Sequence, residues 1–135
     1  MTINKLQRAQ NNAARVVLDK SRRVDAKPLL RQLHWLPIQQ RIVYKMAVLT
    51  RKAHTTGVPA YLTLRVATRH TRSAALPLLN LASLSTDFAR RSFSYAAPKI
   101  WNSLPTEISS CNSEATFKKH IFTRIAFIPS NWLTF

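Results

Sequence analysis

Glycine occurs once among the 135 residues, at Gly57, where average usage of ~7% would supply about nine. Type I′ and II′ hairpin turns and G1 bulges draw on glycine, so a hairpin-rich β fold is disfavoured. Glycine-rich loops that cradle phosphates are excluded with it. Cysteine is equally scarce. Cys111 alone allows neither a disulfide framework nor a Cys-x-x-Cys metal ribbon. The acids are five in number, Asp19, Asp25, Asp87, Glu107 and Glu114, and no two adjoin. A two-metal centre held by clustered carboxylates therefore has no candidate. His34, His54, His70 and His120 show no i, i+4 or zinc-ligand spacing. No catalytic residue, metal site or cofactor is expected. The longest stretch free of charged side chains is Ser73–Thr86, fourteen residues with Pro77 inside, too short for a membrane-spanning helix.

Positive charge is what the chain has in excess. Twenty-one Lys and Arg stand against the five acids, giving a net charge of +16, while hydrophobic content is an ordinary 46%. The cations are spread singly between apolar residues, as in a folded basic protein and unlike a polybasic tail. With so few acids to neutralise the field, a polyanionic partner, RNA or DNA, is expected.

Apolar spacing predicts four to five short amphipathic helices. The first covers about residues 4–18, with Ile3, Leu6, Ala13, Ala14 and Val17 on one side and Lys5, Arg8 and Arg15 on the other. Residues 1–18 contain no acid, a pattern shared with mitochondrial presequences. A short helix over about 28–34 follows, with Pro28 in its first turn and Leu29, Leu30 and Leu33 inward. The third, about 38–53, carries Ile38, Ile42, Met46, Leu49 and Ala53 as an expected buried strip, and ends near Gly57. Residues of about 60–87 read as irregular: Tyr61–Val66 suits helix or strand, and Leu76–Leu84 an extended segment. A helix from Asp87 is expected to stop before Pro98, because the residue preceding proline is pushed from the α region. The last begins at Ser113, with Glu114 in its first turn and Phe117, Ile121, Ile125 and Ile128 inward, flanked by Lys118, Lys119 and Arg124.

Arg41, Lys45 and Lys52 form the best binding candidate. They share one strip of the third helix, and cations about a turn apart can follow successive phosphates. Tyr44 lies alongside, an aromatic ring of the kind that stacks on unpaired bases. A second interleaving of Phe88, Arg90, Arg91, Phe93, Tyr95, Lys99 and Trp101 offers Arg90 and Arg91 as phosphate contacts. Phe88, Phe93 and Trp101 read more simply as core, and so does Trp35.

At these blocks the chain resembles the segment after the polymerase domain in reverse transcriptases of non-LTR retrotransposons (LINEs) of the chicken-repeat and jockey type. Lys5-Leu-Gln-Arg-Ala-Gln-Asn-Asn-Ala-Ala-Arg15 carries the resemblance first. Leu33-His34-Trp35-Leu36-Pro37 follows, with Arg41 and Tyr44-Lys45 behind it, then Pro59-Ala-Tyr-Leu62 and Arg72-Ser73. The most specific block is Ala96-Ala-Pro98-Lys-Ile-Trp101-Asn102-Ser-Leu104-Pro105, with Thr116-Phe117-Lys118 after it. In order and spacing the blocks cover about residues 3–127.

The resemblance implies a non-catalytic C-terminal piece of an RNA-directed DNA polymerase. The family's catalytic aspartates lie upstream of this segment, and its endonuclease is likewise outside these residues. The segment's implied task is to hold element RNA or target DNA, with the upstream reverse transcriptase domain as its neighbour. No Cys/His zinc knuckle is present.

The expected organisation is thus a single mostly α fragment over 1–135, with helical halves of about 3–56 and 87–128, incompletely packed in isolation. It has no membrane segment, and sits in nucleus or cytoplasm if expressed. Two other readings stand beside this one: a degenerate structural fragment without autonomous function, and a small basic mitochondrial protein.

Overall fold

The computed structural model describes residues 3–58, 60–62, 64 and 78–127. Those residues form seven helices: α1 (Ile3–Val17), α2 (Ala26–Gln32), α3 (Ile38–Thr56), α4 (Asp87–Arg90), α5 (Phe93–Asn102), α6 (Thr106–Ser109) and α7 (Glu114–Phe127). The fold is mostly α, with no strand among the described residues and no helix there between 60 and 86. Pro59, His70, Arg72, Ser73, Pro77 and Ile128, each used in the sequence reading, lie outside the described residues, as does half of Tyr61–Val66. The chain divides into two compact units, Met1–Ile42 and Val43–Phe135, and the division falls within α3.

The first unit is a two-helix core with a corner. Ala14 of α1 is buried against Leu29 and Leu30 of α2, with Leu18 and Leu33 half-buried at its border. Ile3, Leu6 and Val17 of the apolar strip are exposed. Only the side of α1 carrying Ala14 meets α2.

How the helices end follows from the shortage of glycine. Leaving a helix through a left-handed residue satisfies orphan carbonyls, and glycine takes that conformation most easily. Here Asp19 (φ 49°) and His34 (φ 53°) do so as well as Gly57 (φ 65°). After α2, the His34 N–H bonds the Arg31 carbonyl at 3.1 Å and the Trp35 N–H bonds the Leu30 carbonyl at 2.8 Å, which is a complete Schellman motif. After α1, Asp19 to Val16 and Lys20 to Arg15 repeat the same pair of bonds. Pro37 then opens α3, its carbonyl accepting from the Arg41 N–H at 2.8 Å.

Leu33-His34-Trp35-Leu36-Pro37 is therefore a helix-to-helix corner, and α1 clasps it. The Gln7 Oε1 accepts the Ile38 N–H at 2.9 Å, an otherwise orphan donor in the first turn of α3. The Gln10 Nε2 donates to the Leu36 carbonyl at 2.9 Å. Leu36 is the buried member of the corner, whereas Trp35 is exposed and no core anchor. His34→Gly should stabilise this unit by about 0.5–1 kcal/mol by relieving the left-handed strain, and His34→Val should destabilise it. Thermal unfolding followed by helical circular dichroism checks both; equal effects of Gly and Val would refute the assignment.

Along α3 and in the second unit, four expectations are corrected. On α3 the buried residues are Val43, Ala47, Thr50, Arg51 and Ala53, while Ile42 and Leu49 remain 43% and 42% exposed. Val43, Ala47 and Thr50 face inward in place of Ile42 and Leu49, while Ala53 is buried as expected. Thr50 tolerates complete burial because its hydroxyl donates to the Met46 carbonyl at 2.7 Å. The single helix expected from Asp87 is two. Ser92 interrupts it in extended conformation (φ −65°, ψ 151°) and starts α5, its carbonyl accepting from Tyr95 and Ala96. Phe88, on the short α4, is 85% exposed rather than core.

Helix α5 then runs through Pro98 to Asn102. Proline has no N–H, so the Ser94 carbonyl loses its helical partner, a local penalty of ~3 kcal/mol. Burial of Ala96, Ala97, Pro98, Ile100 and Trp101 together outweighs it. Pro105 opens α6, its carbonyl accepting from Ile108 and Ser109. The last helix matches expectation, with Phe117, Ile121 and Ile125 buried and the Ser113 carbonyl accepting from Phe117.

Candidate nucleic-acid interface

Helix α3 carries the candidate basic strip. At 3.6 residues per turn, Arg41, Lys45 and Lys52 share an arc of roughly 40°, opposite the buried Val43, Ala47 and Thr50. All three side chains are exposed. Leu49 and Ile42 occupy the next part of the same outward face, so cations and apolar surface run side by side along it. Tyr44 is half-buried, its ring edge-to-face with Phe122 of α7 at 6.2 Å between centroids. One approach to that ring is thus occupied.

The contact brings α7 beside α3 and with it a cation the strip did not include. The Lys118 Nζ lies 2.5 Å from the Glu114 Oε1, one turn back on the same helix, and both side chains are solvent-accessible. This hydrogen-bonded ion pair holds the Glu114 carboxyl below its ordinary range, with smaller contributions from Lys52 and Arg51. It raises Lys118 in return. Lys119, the next residue, is exposed. The sequence signal was the i, i+4 order of Glu before Lys, which favours such pairs.

Arg90 and Arg91 are placed elsewhere, on α4 and its C-terminal cap. Arg90 contacts Asp87 at 3.4 Å and the Leu84 carbonyl at 3.4 Å; Arg91 is exposed. No contact joins them to the α3 strip among the described residues. The other conspicuous cation, Arg51, is structural: it is 7% exposed, stands 4.7 Å above the Phe117 ring and donates from Nη2 to the Cys111 carbonyl. Phe117 in turn lies 6.2 Å from Trp101, on which His54 stacks at 5.5 Å. Arg51, Phe117 and Trp101 form a buried column, which the exposed His54 ring covers at the Trp101 end. Arg51 follows Val43 and Ala47 at steps of four, and that row was its only signal in the sequence.

The Trp101-Asn102-Ser-Leu104-Pro105 block also has a structural part. The Asn102 side chain donates to the Leu79 carbonyl at 2.8 Å and accepts the Leu79 N–H at 2.9 Å. One amide thereby pairs both backbone groups of a buried residue as a neighbouring strand would. Leu104 and Pro105 are half-buried behind it.

Cys111 is half-buried, its thiol 3.2 Å from the Glu107 carbonyl and 3.7 Å from the His120 Nδ1. Among the described residues no three His, Cys, Asp or Glu side chains are grouped to hold a metal ion. No helix there is long and apolar enough to cross a membrane. No family profile, curated protein or solved structure matches this chain.

Proposed function

We propose that this protein is a non-catalytic, post-polymerase segment of a non-LTR retrotransposon reverse transcriptase, and that it contacts RNA or DNA phosphates through α3. The observation that carries the reading is the outward strip of Arg41, Lys45 and Lys52, on a helix with no acid of its own, in a chain of net charge +16. Cations at that spacing neutralise consecutive phosphates and release their counterions, which makes affinity fall with salt. The resemblance supports the origin. Its two most specific blocks coincide with the α2–α3 corner and the Asn102 clamp, both of which set helix positions.

Replacing Arg41, Lys45 and Lys52 with Gln should weaken binding about uniformly across sequences and flatten the log–log salt dependence by ~0.7 per contact on single strands. Tyr44→Ala should weaken binding with little change in that slope, since stacking releases no counterions. Lys5→Gln with Arg8→Gln, on α1, is the control and should matter less. Titration of labelled RNA across a salt series measures all three. Equal losses from both sets would mean a diffuse field and would overturn the assignment to α3.

A structural role without autonomous activity is the second reading, favoured by the exposed Ile3, Leu6, Val16 and Val17 of α1. An apolar face of that kind commonly marks a contact surface. Wild-type protein that fails to bind nucleic acid at low salt would put this reading first.

A further inference from the structure

We infer that Glu114 is a built-in competitor for phosphate on the second unit's basic face, and that Lys118 is a masked contact which single-stranded phosphodiester backbone takes over from it. The inference rests on the proposed nucleic-acid reading and extends it to α7.

Helices α3 and α7 carry four and three Lys or Arg side chains, and Glu114 is their one acid. That acid is not distant from the basic face. It lies in the first turn of α7, paired to Lys118, and Tyr44 meets Phe122 one turn beyond Lys118. Lys118 thus lies beside Tyr44 of α3, which is near enough to act on its ammonium. Lys52 lies close enough to act on the same carboxylate.

Glu114 has a structural reason to be there, since an anion in the first turn offsets the helix dipole. Its bond to Lys118 is nevertheless open to exchange. The two side chains are 59% and 43% exposed, and exposed pairs of this kind are weak. A phosphodiester oxygen accepts a charge-assisted hydrogen bond from an ammonium as a carboxylate does, and the strand arrives with counterions to release. An incoming strand therefore exchanges one partner of Lys118 for another, and the carboxylate left behind repels it. Affinity is held below what the cations alone would give.

The test compares wild type, Glu114→Gln, Lys118→Gln and the double variant on short mixed-sequence single-stranded RNA and on DNA of the same sequence. Glu114→Gln should tighten binding by about threefold at low salt and steepen the salt dependence by ~0.7. In the Lys118→Gln background most of that gain should vanish. Glu107→Gln, on α6, adds the same net charge away from this face and should give a smaller gain. Glu114→Asp keeps the helix-terminal charge with a shorter reach to Lys118 and should give a smaller gain of the same sign, guarding against fraying of α7.

A gain from Glu114→Gln no larger than that from Glu107→Gln overturns the inference, as does a gain undiminished without Lys118. If the α3 variants lose binding while Glu114→Gln does nothing, this inference alone falls. If the α3 variants bind like wild type, the underlying reading falls with it.

Discussion

Phe117→Ala should destabilise the second unit by about 3–5 kcal/mol, the range for removing a large buried ring. Phe117 is fully buried at 0% exposure and touches both a cation and an aromatic neighbour. Its loss opens a cavity and removes the face on which the Arg51 guanidinium rests. That second effect matters because Arg51 is buried and forms no ion pair among the described residues, Glu114 acting on it only from a distance. Its solvation is supplied by the Cys111 carbonyl and the ring, and without the ring it must draw in water or move outward. Phe88→Ala is the matched control. The Phe88 ring is almost wholly in solvent, and its loss should change stability by no more than about 0.5 kcal/mol. Urea unfolding followed by helical circular dichroism measures both. Comparable losses at the two positions would contradict the burial pattern.

Asn102→Ala should be the next most damaging change, at about 2–3 kcal/mol. The side chain is small and lies at the end of a helix, so area burial alone would predict little. Two backbone groups of Leu79 depend on it, and Leu79 is 1% exposed, so water cannot replace the lost partners without opening the site. Amide exchange at Leu79 gives an independent readout: the wild-type N–H should be protected and the variant's should exchange much faster. Asn102→Asp separates the two bonds. It keeps an acceptor for the N–H but sets a carboxylate oxygen against the Leu79 carbonyl, so at neutral pH it should be at least as damaging as alanine.

These positions mark where sequence reasoning reached and where it stopped. The helical class was legible, because apolar residues recur at helical spacing and a single glycine leaves little material for hairpins. The buried strip of α7 was legible for the same reason. Phe117, Ile121 and Ile125 are both large and regularly spaced, so hydropathy and packing agree. On α3 they disagreed. The strip with the largest side chains, Ile42 and Leu49, faces outward, and the smaller Val43 and Ala47 face in, a choice that hydropathy along one helix does not make. Pro98 shows the same limit from the other side. Its local rule was correct as a penalty and was outweighed by the burial of the residues around it.

Composition and periodicity by themselves determined the helical class, the excess of positive charge, and the sharing of one helical strip by Arg41, Lys45 and Lys52. Each follows from residue type and 3.6-residue spacing, which need no knowledge of what a helix packs against. Only the tertiary structure decided that this strip is the outward one, that Lys118 is held by Glu114 beside it, that Arg51 is buried under Phe117, and that Asn102 binds the backbone of a residue 23 positions away. Except for the Glu114–Lys118 pair, whose i, i+4 order was itself visible, those outcomes depend on contacts between segments far apart in the chain, and a periodicity read along one helix carries no information about its neighbours.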